Sequence, residues 1–320
     1  MNSYIELQNI TKHFKKQSVL NIPSLSINKG EIVSIVGPSG TGKSTLLRIL
    51  AGLEEPDSGQ IFIENQSMAG ITPQDRPVVY MFQESLLFPH MDLLENVAFG
   101  LKMRRVNKTK RYELSRNMMK RVGIEGLESR YPHEISGGQK QRAALARSLI
   151  VNPKVLLLDE PFSNLDTELR KETRRWMKRL LKDEKITVLF VTHDLEEAMA
   201  MGDRVAIFRD GQMQQFAVPE DLYDSPANPF VSSFLHAGFW MGDRFIPSST
   251  LTICNEVNDT FHHWKAEIVE TFFQDSKNHL VVCLNNCEHL ITLTSEKHKK
   301  VGDQVILQEK EAVNEKGGKE

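Results

Sequence analysis

Between an apolar run at residues 32–36 and a helical pattern at 46–50, the chain reads Gly37-Pro38-Ser39-Gly40-Thr41-Gly42-Lys43-Ser44-Thr45. The spacing G-x-x-x-x-G-K-[ST], entered from a strand and left through a helix, is that of a phosphate-binding loop. Its glycines let successive backbone N–H groups turn inward, and the start of the following helix adds positive potential where β- and γ-phosphates would lie. Lys43 would reach the β/γ oxygens and the Ser44 hydroxyl would ligate Mg²⁺. An ordinary glycine-rich turn is the bland alternative, and the strand before with the helix after weighs against it.

At 320 residues the chain exceeds what one core usually organises, so two domains are expected. Lysine and arginine total 40 against 42 acidic residues, a formal charge of -2, so no global basic field points to nucleic acid. No apolar stretch approaches the roughly 20 residues of a membrane-spanning helix. The start Met1-Asn2-Ser3-Tyr4-Ile5-Glu6 lacks a basic-then-apolar export signal, so a soluble chain in the cytoplasm is expected. Cys254, Cys283 and Cys287 make no even-numbered disulfide framework. Cys283-x-x-x-Cys287 with His289 has some look of a metal site, but Asn285-Asn286 reads as a hairpin turn that makes these thiols ordinary sheet residues.

Strand-like runs at 4–7, 25–27 and 32–36 lead into the phosphate loop, and a strand pair is expected at 60–64 and 78–82. From about 92 to 134, within an insertion bounded at about 88–135, the pattern turns helical and rich in Lys, Arg and Met. Then β and α alternate: helix 138–151, strand 155–158, helix 166–183, strand 187–191, helix 195–201, strand 204–209. Short apolar strands without polar alternation, separated by helices, argue for an α/β fold whose mostly parallel sheet is buried on both faces. After a last helical stretch at 230–235, strands at 250–254, 264–273, 279–284, 289–294 and 304–308 predict a small antiparallel β-barrel. The expected domains are residues 1–235 and 240–310, with a disordered tail at 311–320.

The strand at 155–158 ends in Asp159-Glu160-Pro161, placing two carboxylates at the carboxyl end of a buried strand, where open α/β sheets keep their ligands. Asp159 would hold Mg²⁺ through water, and Glu160 would polarise the water attacking the γ-phosphate. Ile135-Ser136-Gly137-Gly138-Gln139 heads the helix Lys140-Gln141-Arg142-Ala143 and offers a second anion site, a hydroxyl with exposed amides at a helix N-terminus.

Here the chain resembles the ATP-binding cassette (ABC) ATPases, whose L-S-G-G-Q signature closes over the ATP bound by a partner subunit; Ile135 replaces the leucine. The resemblance covers roughly residues 4–225 and implies a P-loop cassette with an antiparallel β subdomain, ATP and Mg²⁺ as cofactors, and ATP hydrolysis. It implies that Phe14 stacks on adenine, that Gln83 is a Mg²⁺ ligand reporting to a membrane partner, that Ser163-Asn164-Leu165-Asp166 touches the opposite subunit, and that His193 contacts the γ-phosphate. Gln83-Glu84-Ser85-Leu86-Leu87-Phe88-Pro89-His90, Tyr131-Pro132-His133-Glu134 and a trailing β domain look like the import ATPases for ferric iron, sulfate, molybdate, polyamines and maltose, and within that group the stretch Gly123 to Asp166 looks most like the ferric-iron branch. The C-terminal region is similar to their oligonucleotide-fold-like TOBE domain, though Pro247-Ser248-Ser249 stands where Arg-Pro-Glu is usual. The implied assembly is a homodimer at the cytoplasmic face of the membrane, joined to transmembrane permease subunits and indirectly to a solute-binding protein, without nucleic acid. A soluble ABC ATPase of DNA repair or translation would normally carry a long coiled coil or a second cassette, and neither is present. A purely regulatory binding module would not need Glu160 and His193. The basic stretch at 102–121 reads first as a solvated helical face, with a patch near anionic lipid as the alternative.

Overall fold

The chain opens with a long hairpin, β1 (Ile5–Phe14) and β2 (Gln17–Ile27), followed by β3 (Ile32–Val36), the phosphate loop and α1 (Lys43–Ala51). Next come β4 (Ser58–Ile63), β5 (Gln66–Ser67), β6 (Val78–Met81), α2 (Leu93–Met103), α3 (Lys108–Arg121) and α4 (Gly137–Leu149). β7 (Val155–Asp159), α5 (Thr167–Asp183), β8 (Thr187–Thr192), α6 (Leu195–Met201), β9 (Arg204–Arg209) and β10 (Gln212–Ala217) complete the first compact unit, which ends at Pro219. The computed structural model describes residues 3–15, 17–83, 87–163, 165–254, 262–274, 276–284, 290–295 and 299–309.

These strands hydrogen-bond in the order β5-β4-β1-β2-β10-β9-β3-β8-β7-β6. From β9 to β6 they run parallel. β1, β2, β4 and β5 pair antiparallel with one another, β10 pairs antiparallel with β9, and Gln212 of β10 pairs parallel with Asn21 of β2. The expected parallel sheet and antiparallel subdomain are therefore one hydrogen-bonded sheet. Every residue of β3, β7 and β8 is buried. Because successive side chains point to opposite faces, Val33, Ile35, Leu157, Leu189 and Val191 pack with Leu46, Leu47 and Leu50 of α1. Ile32, Leu156, Leu158, Val188 and Phe190 pack on the other face with Val97, Leu145 and Met177 of α2, α4 and α5. At about 1.5–3 kcal/mol for each such side chain, the strand ends that carry the site rest on a rigid base.

Three expectations are corrected. The strands expected as a pair at 60–64 and 78–82 lie far apart: β4 pairs with β1 and β6 forms the other edge, against β7. Apolar pattern reveals a strand but not its neighbour. β10 is an addition to the expected strands, although Asp210 (φ +49°) and Gly211 (φ +77°) form the kind of two-residue turn that closes a hairpin; its Gln-rich composition hides it. The second unit begins at Glu220, so α7 (Pro219–Asp224) falls at the junction, and α8 (Pro229–Leu235) belongs to the second unit rather than to a domain of residues 1–235.

In that second unit β11 (Gly238–Met241) pairs with β12 (Arg244–Pro247). β13 (Leu251–Cys254), β14 (His263–Gln274), β15 (Lys277–Leu284), β16 (Leu290–Ser295) and β17 (Gln304–Glu309) form an antiparallel sheet in the order β13-β17-β14-β15-β16. Among the described residues its edges β13 and β16 are not hydrogen-bonded to each other, so the expected barrel is an open half-barrel around Phe239, Ile268, Val282 and Leu307. Ser248–Thr250, beside the position where Arg-Pro-Glu is usual, is a single 3₁₀ turn. The turn at Asn285-Asn286, Cys287, His289 and the tail at 311–320 lie outside the described residues.

Candidate active site

The phosphate loop is shaped by backbone that only glycine tolerates. Gly42 has φ +87°, and a Cβ there would lie 2.4 Å from the Val19 carbonyl oxygen; Gly37 would meet the Phe208 carbonyl at 2.2 Å. With those positions fixed, Thr41 Oγ1 donates to the Pro38 carbonyl at 2.9 Å, and Lys43 Nζ donates to the carbonyls of Gly37 and Pro38, both at 2.8 Å. Lys43 is buried. Burial pulls its pKa down, while Glu160 and Asp159 pull it back up. Among the described residues the hydrogen bonds of this buried ammonium go to neutral carbonyls, which leaves it suited to a stronger anion such as a polyphosphate. Pro38, Ser39 and Gly40 are exposed at the mouth of the loop, and Thr45 is half-buried in the first turn of α1.

The carboxyl end of β7 faces this loop. Ser44 Oγ donates to Asp159 Oδ1 at 2.7 Å, and Tyr80 Oη donates to Asp159 Oδ2 at 2.5 Å. Glu160 follows in left-handed backbone, φ +44°, which costs a non-glycine residue about 1–3 kcal/mol and clusters at functional sites. That twist turns its carboxylate to meet two groups from neighbouring strands. Gln83 Nε2, just past β6, donates to Glu160 Oε2 at 3.1 Å, and His193 Nδ1, just past β8, lies 3.2 Å from the same oxygen. Hydroxyl, carboxylate and amide oxygens are the hard donors Mg²⁺ prefers. Among the described residues no group of three or more His, Cys, Asp or Glu could hold a metal alone. A Mg²⁺ bound beside Ser44 and Asp159 would need further ligands from substrate oxygens and water.

The other motif residues cap helices. Ser136 caps α4, accepting from Gln139 N at 3.3 Å, while Gln139 Oε1 accepts from Ser136 N at 3.0 Å. Gly137 is exposed and Gly138 buried, the latter close to Leu169. Asp166 caps α5 by accepting from Leu169 N, and its neighbour Asn164 lies outside the described residues. Phe14 is 46% exposed at the end of β1, with Lys12 Nζ 5.2 Å from its ring centre. No hydrogen bond or ion pair among the described residues joins Ser136–Gln139 to the loop at 37–45, so the two anion-binding elements stay separate within one chain.

Sequence reading missed three supports. Tyr80 is one. Gln141, buried on α4, donates to the Pro161 carbonyl at 2.6 Å and ties the signature helix to the loop after Glu160. Arg170 donates to the Leu165 carbonyl at 3.1 Å and lies 3.7 Å from both Asp194 and Glu197, bracing the loop before α5 against the start of α6.

Residues 20–163 match the family described as ABC transporter. The sulfate/thiosulfate import ATP-binding protein CysA of Pseudomonas putida is 48% identical over 235 residues, 72% of this chain and 71% of its own length. The chain belongs to the ABC transporter ATP-binding family. Another relative, the Fe(3+) ions import ATP-binding protein FbpC of Escherichia coli O157:H7, is 46% identical over 233 residues, 73% of this chain and 67% of its own. Among solved structures, an ATP-binding cassette captured as a dimer in a post-hydrolysis state with ADP and phosphate matches at TM-score 0.60 and 32% identity, over 67% of this chain and 98% of that one. The cbiO1 protein of Clostridium perfringens, part of the ABC transporter complex cbiONQ, matches at TM-score 0.65 and 27% identity, over 71% of this chain and 93% of that one. As a member of this family the chain is an ATPase that uses ATP with Mg²⁺. Among the described residues no helix is long and apolar enough to cross a membrane.

Proposed function

We propose that the chain powers an importer of inorganic ions as a homodimer, seated on permease subunits at the cytoplasmic face of the membrane and served indirectly by a solute-binding protein. The observation that carries this reading is the pairing of a complete acid cluster beside the phosphate loop with an exposed signature cap that the same chain leaves unused. Two copies arranged head to tail would complete two sites, each with the loop of one chain and Ser136–Gln139 of the other.

Within each site Lys43 binds the β/γ oxygens, and the amides of Gly40, Gly42 and Ser44 surround the phosphates. Mg²⁺, when bound, neutralises phosphate charge as a Lewis acid. Glu160 takes the proton of the attacking water, and Gln83 and His193 hold its Oε2 in place, which leaves His193 Nε2 for the γ-phosphate side. Water adds to phosphorus, the bond to the ADP oxygen breaks, and the proton rests first on Glu160. Gln83 lies at the exposed end of the edge strand β6, which suits it to pass the state of the site to a permease.

The ferric-iron cargo favoured by the sequence reading has a competitor, because sulfate/thiosulfate relatives reach 48% identity and others of them match the Fe(3+) relative at 46%. Uptake of labelled sulfate and of ferric iron in cells lacking the protein separates the two. The composite-site reading is tested by Lys43→Ala and Ser136→Arg. Each alone should be inactive, and mixing them should restore part of the ATPase activity, because mixed dimers hold one site free of both lesions. Full activity of Ser136→Arg by itself would refute it.

A further inference from the structure

We infer that Tyr80 is a positioning residue for Asp159, fixing the orientation in which this carboxylate serves the metal beside Ser44. The inference deepens the reading of Asp159 as a carboxylate that serves Mg²⁺ and rests on it.

The placement follows from strand register. Tyr80 of β6 pairs with Leu157 of β7, and Asp159 lies two residues further along, so the two side chains project from the same face. The phenol reaches across that diagonal, and its Oη donates to Oδ2 at 2.5 Å while Ser44 Oγ holds Oδ1 at 2.7 Å. Both carboxylate oxygens are thus engaged by hydroxyls from two different elements, the edge strand and α1. Asp159 is only 7% exposed, and no cation lies within ion-pair distance of it among the described residues. A buried carboxylate without an ion pair depends on hydrogen bonds for its stability and its direction.

Without a second donor, rotation about the terminal torsion, which is broad and roughly two-fold for Asp, would exchange the two oxygens and loosen the hydroxyl of Ser44. The Tyr80 ring is itself held, edge-on to Phe82 with centres 4.6 Å apart at 61°. Its hydroxyl is the donor of the bond to Asp159. With the Ser44 proton committed to Oδ1, the lone pairs of Ser44 Oγ would remain available to a metal ion.

The test uses the full chain and a β,γ-imido ATP analogue, titrated calorimetrically in excess MgCl₂ and in EDTA. Tyr80→Phe keeps the ring and removes the hydroxyl, with its bond to Asp159 and its interaction with Arg48. The gain in affinity on adding Mg²⁺ should fall by about tenfold to a hundredfold, the usual effect of losing an outer partner of a metal ligand, while affinity in EDTA stays at the wild-type value. Equal weakening in both conditions would reveal a packing role, and an unchanged Mg²⁺ gain would reveal no role; either overturns the inference. Asp159→Asn, measured in parallel, keeps the two readings apart. If it leaves the Mg²⁺ gain intact, the role of Asp159 itself fails. If it removes the gain and Tyr80→Phe does not, only the inference about Tyr80 fails.

Discussion

Replacing Glu160 with Gln removes the proton acceptor from the site while changing little else. The amide has the same length and branching, so the left-handed backbone at φ +44° carries the same strain in both proteins. The side chain is 22% exposed, and the amide oxygen can still accept from Gln83, now 3.1 Å from Glu160 Oε2. Stability should therefore move by less than about 0.5 kcal/mol. The chemical step loses a general base, worth about 10² to 10⁴ in rate, or about 2.7–5.4 kcal/mol at 1.36 kcal/mol per decade. Phosphate release at saturating Mg-ATP should fall by that factor. ATP affinity should persist, because Lys43 and the loop amides are untouched. Size-exclusion chromatography with Mg-ATP should find the variant trapped as a dimer. A rate within tenfold of wild type would remove Glu160 from the proton-accepting role, and loss of ATP binding would mean that its carboxylate holds the loop together.

Gly42→Ala forces φ +87° on a residue with a Cβ only 2.4 Å from the Val19 carbonyl oxygen, so a melting temperature lower by about 2–8 °C and lost nucleotide binding are expected; calorimetry with ATP checks both. Glu197 is raised above its ordinary 4.5, by burial first, against the opposing bond from Thr192 Oγ1. A raised carboxyl contributes stability that is complete below the unfolded value and is lost as pH rises through the folded value. The melting temperature of Glu197→Gln relative to wild type should therefore climb as pH increases from about 4 through that window; a flat or falling difference would contradict the assignment.

The central sheet was legible because its strands are buried on both faces and so read as largely apolar runs, at residues 32–36, 155–158 and 187–191. The peripheral strands were less so. β2 carries Pro23 and three serines, and β10 reads Gln-Met-Gln-Gln; each is made a strand by its neighbours rather than by its own composition. The domain boundary shifted for a related reason. Residues 219–235 hold two short helices whose sequence does not say which core they join, and the packing around α8 and β11 assigns them to the second unit.

Site residues were legible where one local motif dictates backbone shape, as at Gly42, or where a cap residue precedes a helix, as at Ser136 and Asp166. Tyr80, Gln141 and Arg170 were not, because what each touches depends on which strand or helix lies alongside. The edge strand β6 makes the point mechanically. Its residue 80 holds Asp159 and the residue just past its end, Gln83, holds Glu160, so two adjacent acids are oriented from one strand. Among the described residues β6 is hydrogen-bonded on one side only, through β7. An edge strand shifts at lower cost than one paired on both sides, and a displacement of its exposed end at Phe82 and Gln83 alters the settings of both acids together. A permease acting on that end would therefore govern hydrolysis without touching the phosphate loop, whose shape is set by Gly37, Gly42 and the strands behind them.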